Sequence, residues 1–541
     1  MTTKKILSLI LVTVIALCIF AGCTPNEDII GNSNLEDNGP QYGGVLNLAW
    51  TGNGSDSLDP LYNTGWLTYI WATNVFETAI SRDADGNFVP CVCNFELSED
   101  RMTLKLWVRD GVTFHNGDPV TIEDVEYSLM IRPVGTSINI EKWFTNYVAD
   151  YAIEDGVMTF HFTEYNANTL YYLSGYATFS AIIPKEIGEK HCNEEEGEMQ
   201  ITDINDIIGT GPYKVNARNT ELGRVVSLDR YEDYVPVPEE YSGLGGPKMA
   251  YLDTINVYFN AEENSIAMSM LNGDYDLAQV PSDFTKMLTS KGLVTTQDLN
   301  KSITYICFNT QEHRPVSDPN LRKAIAAAID YTQLMDVLKG EGFWTDDLCP
   351  MDEGTAYWTD AFNNADYTGA ANLELAKEYL EKANYNGESI VIAAKSSDKA
   401  AEVIEAMIEA AGINCEIFFM DDSAYTPYFG DTSNPYDIIC ATSVKCDSIP
   451  SAMVTNLRTR FWNDDDAAEL FDVIGGSMAG SEESKTAWKT MYTKWVEDAH
   501  IIPLGTAQVV DYHHPDLVIN SEGSWRYYFN AYWKNPANHM G

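Results

Sequence analysis

Two stretches in the second half of the chain carry apolar residues at helical spacing: Leu373, Ala376, Tyr379, Leu380 and Ala383, then Ala400, Val403, Ile404, Met407, Ile408 and Ala411. Stripes at this period predict amphipathic helices. The second stops at Gly412, the favoured residue just past a helix end, and the apolar run 413–420 that follows predicts a buried strand. An earlier helix is predicted from Asp318-Pro319 through Leu321, Ala324, Ile325, Ala328 and Ile329, with proline in its first turn. Helix followed by strand, twice over, is the pattern of an α/β lobe. In the first half, residues 43–50 alternate as a strand does and break into a loop at 51–55, and residues 103–108 alternate again. Thr121 with Asp124 three positions later predicts a capping box, and the strand-like runs flanking Glu154-Asp155-Gly156 predict a hairpin.

A 541-residue chain is too long for one compact core, so two or more lobes are expected. Its formal charge of −46 excludes a nucleic-acid partner, whose phosphates need a basic surface, and disfavours adsorption to anionic lipid. A cationic ligand would be steered towards it. Cys91-Val92-Cys93 lacks the two-residue gap of a redox or zinc pair, and Cys307 and Cys415 sit in apolar runs, so most of the cysteines read as small core residues. The eight histidines show no ligand spacing. Neither a metal site nor a cofactor is predicted.

At the N-terminus, Lys4 and Lys5 precede an apolar run over 6–20 that ends at Ala21-Gly22-Cys23. The run is short for a membrane span and fits a secretory leader, and small residues before a cysteine resemble a bacterial lipoprotein signal, with Phe20 where leucine is usual. Residues 1–22 are expected to be removed and Cys23 to be lipidated. Residues 23–41, rich in Asn, Asp, Glu and Gly, are expected to be a disordered tether.

Five separated motifs then point one way. The longest runs from Trp107 to Ser128 and contains Phe114-His115-Asn116-Gly117-Asp118-Pro119 followed by Thr121. Ser57-Leu58-Asp59-Pro60 precedes it; Gly209-Thr210-Gly211-Pro212-Tyr213, Gly273-Asp274-Tyr275-Asp276, and Tyr305-Ile306-Cys307-Phe308-Asn309 with Asp318-Pro319 follow in order. Together, across 42–533, they resemble the extracellular solute-binding proteins of family five, the oligopeptide-, dipeptide- and nickel-binding receptors of ABC importers. The Gly209-Thr210-Gly211 turn lacks the Lys-Ser/Thr and following helix of a phosphate loop.

The resemblance implies an α/β fold of two periplasmic-binding-protein-like lobes. Lobe I is expected over 42–300 plus 501–541, with an inserted subdomain at about 66–170, and lobe II over 301–500. Interlobe crossings are expected near 302–306 and 501–504. It implies a monomeric, non-enzymatic receptor on the extracellular face of the bacterial membrane, held by lipid on Cys23 and delivering an oligopeptide, dipeptide or other small solute to importer membrane subunits. The ligand contacts it implies are Asn53, Gly54 and Ser55, Phe308 and Asn309, and Ser443, Lys445, Cys446 and Asp447. This last segment departs from the family's Trp-Ala-Asp-Tyr pattern: Ser443 stands near the tryptophan position, and Cys446, or Asp447 with a one-residue shift, takes the aspartate register. Asp447 is the candidate for a ligand amine, with a loop-capping role before Ser448 as the alternative, and Lys445 is read first as a solvated surface lysine, with pairing to a ligand carboxylate as the alternative. Trp66, Trp344 and Trp358 are further aromatics suited to a cleft. An oligosaccharide ligand and a peptide-sensing role stay open, whereas a surface hydrolase is disfavoured because no Gly-x-Ser-x-Gly or His-Glu-x-x-His motif occurs.

Overall fold

The computed structural model describes residues 37–540 except 38, 53, 55, 63–65, 85, 135–138, 168, 175–179, 192–199, 261, 297–301, 354, 397, 399, 422–423, 426–427, 429–430, 445–464, 478–479, 509 and 520–526. The leader, Cys23 and most of the expected tether lie outside the described residues. Among the described residues no helix is long and apolar enough to cross a membrane.

Strand Val45–Thr51 organises a seven-stranded sheet, lying parallel to both Thr254–Asn260 and Leu277–Gln279. Its alternation places Leu46, Leu48 and Trp50 in one core, beside helix Trp66–Val75 and the C-terminal Tyr527, Phe529 and Trp533. Ala49 faces the other way, onto Ile266 and Met270 of helix Glu263–Asn272. A sheet with parallel strands at its centre is stable only when both faces are covered, and this one is. Antiparallel strands Val225–Arg230 and Tyr213–Val215 extend one side, while Asp511–His513 and Val294–Thr296 complete the other.

The second sheet has six strands, in the order Trp344–Thr345, Ile501–Ala507, Ser302–Phe308, Ile438–Val444, Ile390–Lys395, Cys415–Met420. Helices Pro319–Ala328, Tyr331–Lys339, Ala400–Ala410 and Glu482–Asp498 all contribute to its core. Asp318 caps the first of these by accepting the Asn320 N–H at 2.8 Å, with Pro319 where the missing N–H does no harm. The run 413–420, expected to be buried, begins its strand at Cys415 and forms the sheet's edge. It pairs on one side only, which leaves Phe418 47% and Phe419 42% exposed.

A third, four-stranded antiparallel sheet, Cys93–Leu97, Thr103–Val108, Val157–Phe162 and Val148–Glu154, has its own core running from Ala79 to Ile182. Its hairpin turns at Asp155 and Gly156, both with positive φ, as a two-residue type I′ turn requires. Thr121 and Asp124 form the reciprocal capping box. Helix Trp66–Val75 packs in the core of the seven-stranded sheet and not in this one.

The chain passes from the first large sheet to the second between Thr296 and Ser302, and back between Ala507 and Asp511. Strand Ile501–Ala507, expected in the return to the first lobe, pairs antiparallel with Ser302–Phe308 and is buried throughout, so the return follows it. Two α/β layers joined by two crossings, one of them carrying an insertion, make up the two-lobed fold.

Candidate functional site

A cavity of about 630 Å³ lies at the seam between the two large sheets. Parallel strands Val45–Thr51 and Leu277–Gln279 end at the same edge of their sheet, so Thr51 and Gln279 open onto it, as ligand sites in α/β sheets do at carboxyl ends of strands. Val280, Pro281, Ser282 and Asp283 continue this wall. The facing wall comes from the end of helix Tyr331–Lys339 with Gly340 and Phe343, and from Ser302, Asp398 and the crossing segment Ala507, Gln508 and Val510. Both lobes therefore line one space, the arrangement by which a ligand can favour a closed state.

Among the described residues the lining is acidic: Glu263, Asp283, Asp336 and Asp398 against one cation, Lys339. Asp336 accepts the Trp344 indole N–H at 2.7 Å. Asp398 accepts the Ala400 N–H at 2.8 Å at the start of helix Ala400–Ala410, and burial pushes its carboxyl above the usual range against the pull of that bond and of Lys395 and Lys339. Burial holds the Lys339 ammonium below its usual range, although Cys440 and Asp398 draw it up. Such a lining suits a solute with a cationic group and an apolar portion on Phe343, Val280 and Leu338. Across the seam, the Ser282 hydroxyl donates to the Lys339 carbonyl at 2.8 Å.

Of the contacts implied by the resemblance, Asn53, Ser55, Lys445, Cys446 and Asp447 lie outside the described residues, as do the side chains of Ser443 and Trp66. The Ser443 backbone pairs with Ile303 one position before the end of its strand, and the last pair of that ladder is Val444 with Ser302, a cavity residue. Gly54 gives its N–H to the Gly223 carbonyl at 3.1 Å and packs so closely on Gly223 and Phe259 that a Cβ would not fit. Phe308 and Asn309 are fully buried in the second lobe and away from the cavity: the Asn309 amide donates to the Thr432 carbonyl at 2.9 Å and its N–H to that of Asp437 at 2.9 Å. Trp344 is tied to Asp336, and Trp358, 38% exposed, to Asp347. Gln279, Ser282, Asp283, Asp336, Lys339, Phe343, Asp398 and Gln508 were not singled out from the sequence. The one available signal was the rule that parallel strands present their carboxyl ends to ligands, which reaches Gln279 once the pairing is known.

Several of the sequence motifs act as internal fasteners of the first lobe. Asp59 is buried, ion-paired with Arg132, and accepts the N–H groups of Ile201 at 2.7 Å and Leu61 at 2.9 Å. His115 joins two motifs: its Nδ1 accepts the Gly209 N–H at 3.1 Å and its Nε2 lies 3.0 Å from the Gly211 carbonyl. The backbone N–H of Gly211 donates to the Val75 carbonyl at 2.9 Å, so this turn does not cradle a phosphate. Thr210 reaches the buried Glu77, which also receives Lys248 at 2.7 Å and Tyr234 at 2.9 Å. Desolvation raises the Glu77 carboxyl, but the Lys248 charge and hydrogen bonds outweigh it and hold it below its usual value.

The family model described as bacterial extracellular solute-binding proteins, family 5 Middle, matches residues 79–458. Among curated relatives, the probable peptide ABC transporter periplasmic-binding protein y4tO of Sinorhizobium fredii is 24% identical over 370 residues, 66% of this chain and 67% of that protein. The oligopeptide-binding protein OppA of Bacillus subtilis is 26% identical over 335 residues, 57% of this chain and 56% of that one. The ABC transporter substrate-binding protein CtaP of Listeria monocytogenes superposes with a TM-score of 0.75 at 19% identity, over 92% of this chain and 100% of its own. Helicobacter pylori DppA, solved in complex with peptide STSA, gives 0.75 at 21% identity over 92% and 99%.

Proposed function

We propose, since the chain belongs to family 5 of the bacterial extracellular solute-binding proteins, that it captures a peptide between its lobes and delivers it to an ABC importer. The observation that carries this reading is the seam cavity, lined from both lobes and rich in carboxylates. A peptide's ammonium terminus or a basic side chain finds its counter-charge among Asp283, Asp336 and Asp398, and Lys339 complements a carboxylate. The segment with Lys445 and Asp447 follows a strand whose last ladder pair is Val444 with Ser302, which supports placing those two side chains at the same ligand. Relatives named for peptide transport or peptide binding support the substrate class.

Lipid on Cys23, a tether running from it to Asp37, whose carboxylate accepts the Tyr532 hydroxyl at 2.8 Å and so ends the free segment short of the expected 41, and a monomeric receptor complete the proposal. The lobe limits proposed are those of the two sheets, with 42–296 and 511–540 in the first lobe and 302–507 in the second. A second reading is a non-peptide cationic solute, favoured by the excess of carboxylates over ammonium in the cavity. Mass spectrometry of whatever copurifies with the mature protein, followed by calorimetric titration, separates them: a bound peptide supports the first, and affinity for small organic cations without peptide affinity overturns it. Metabolic labelling with a fatty acid in the parent and in Cys23→Ala tests the anchor, which is refuted by equal labelling.

A further inference from the structure

His514, Asp516 and His539 meet where the end of the chain folds back over the seven-stranded sheet. His514 follows strand Asp511–His513, and its own N–H donates to the Asp276 carbonyl at 2.8 Å. The antiparallel pair Leu517–Val518 and Tyr532–Trp533 then turns the chain back, and His539 follows the short turn Pro536–Asn538. Twenty-odd residues of sequence separate the two histidines, which is why their spacing hid the cluster.

Their candidate ligand atoms all lie within 4.8 Å of one another. Asp516 is only 4% exposed, and among the described residues its Oδ1 and the Nε2 of His539 are buried without a hydrogen-bond partner. A buried carboxylate oxygen and a buried imidazole nitrogen left unpaired are each unfavourable, and a cation between them removes both penalties. The Lys534 ammonium is engaged elsewhere: its Nζ donates to the Pro515 carbonyl at 3.0 Å. The rings are held in place, His539 stacked on Trp533 at 3.5 Å and 6°, and His514 edge-on to His539 at 5.0 Å. His514 Nδ1 accepts the Asp516 N–H at 3.1 Å, so that nitrogen carries the lone pair on the side of the cluster.

We propose that His514, Asp516 and His539 form a structural zinc(II) site, separate from the solute cavity, that fastens the C-terminal segment to the first lobe. Two neutral imidazoles and one carboxylate are a zinc donor set, with water completing a tetrahedron. Ligand atoms on a tetrahedral zinc stand about 3.3 Å apart, so closing on the ion needs shifts of about an ångström and exchange of the Asp516 N–H bond for a bond to the metal. The site would lock more than itself. The His539 carbonyl accepts the Val45 N–H at 2.6 Å at the start of the central strand, and Trp533 packs where any side chain on Gly44 would have to go.

The test uses the mature, tag-free protein stripped with a chelator and titrated with zinc chloride by calorimetry, with melting temperature followed in parallel. One equivalent is expected to bind and to raise the melting temperature, and His514→Ala and Asp516→Asn are each expected to weaken zinc at least tenfold and remove that rise. Cobalt(II) provides a second readout that depends on ligation: the intense visible bands of a tetrahedral ion are expected in the parent and lost in His539→Gln, whose fold is checked by circular dichroism. Absence of zinc binding to the parent overturns the proposal, as does an unchanged zinc affinity in His514→Ala with Asp516→Asn.

Discussion

Ser282 and Lys339 touch across the seam: the Ser282 hydroxyl donates to the Lys339 carbonyl at 2.8 Å, one residue following a strand of the first sheet and the other closing a helix of the second. The next residue, Gly340, has φ +91°, and a Cβ on it would collide with Ser282 Oγ. Glycine is thus required twice over, by backbone conformation and by the approach of the two lobes. The same few atoms border the cavity, so the contact and the ligand stabilise the same arrangement.

Ser282→Ala is expected to weaken ligand binding by up to about fivefold, the net value of one hydrogen bond of about 1 kcal/mol. Gly340→Ala should do more, because it adds strain and a steric block to the lost approach. Calorimetric affinities, with small-angle scattering of the ligand-free protein to detect separated lobes, check both. Unchanged affinity and unchanged scattering in both variants would refute the seam's role.

Asp398→Asn is expected to lower affinity for a ligand bearing an ammonium group by about tenfold, about 1.4 kcal/mol. Asparagine caps a helix as well as aspartate does, so the Ala400 N–H keeps its acceptor and the loss isolates the charge. Because burial raises the Asp398 carboxyl, the parent should also lose affinity for a cation as pH falls towards that raised value, and the variant should lose less. Titrations of one cationic peptide across this range decide it; parallel pH profiles would count against Asp398 as the counter-charge.

Much of this fold could be read from local pattern because local rules and tertiary packing agree. The stripe from Ala400 to Ala411 became helix Ala400–Ala410, and Asp318-Pro319 opened its helix. The apolar run 413–420 misled because apolarity alone does not distinguish a central strand from an edge, and Phe418 and Phe419 stand on an edge. The site was far less legible. Ser282, Asp336, Lys339, Asp398 and Gln508 come from separate segments and meet only through sheet pairing, which sequence spacing does not encode. Phe308 and Asn309 belong to a recognisable motif, yet the motif serves the core. His514 and His539 met through a reversal of the chain that no motif marks.

The Glu77–Lys248 pair predicts a non-additive stability pattern. Both side chains are buried, and Glu77 holds Lys248, Tyr234 and Thr210 together. Removing one charge strands the other, so Lys248→Met should destabilise by about 3–5 kcal/mol, as should Glu77→Leu. The double variant should be less destabilised than the two single losses summed, since no unpaired charge remains. Denaturant unfolding of all four proteins tests it, and strict additivity would show that the two residues act independently.

His115 gives the last prediction its sign. Burial holds its pKa down at about 4, partly opposed by its bond to the Gly211 carbonyl, while in the unfolded chain it titrates near 6.5. The native state thus binds fewer protons than the unfolded state between those values, and stability rises with pH there. The contribution is fully present above about 6.5 and is lost as pH falls towards about 4. Protonating Nδ1 would set a proton against the Gly209 N–H that it now accepts, loosening the junction between the two turns. His115→Gln keeps a donor and an acceptor but does not titrate. It should be less stable than the parent at pH 7.5, with a flatter stability profile between pH 6.5 and about 4, so that the two curves converge on the acid side. His539, also held at about 4, has the same sign and remains in both proteins, so it cancels from the difference. Chemical unfolding at a series of pH values measures that difference, and a gap independent of pH would show that His115 acts by shape alone.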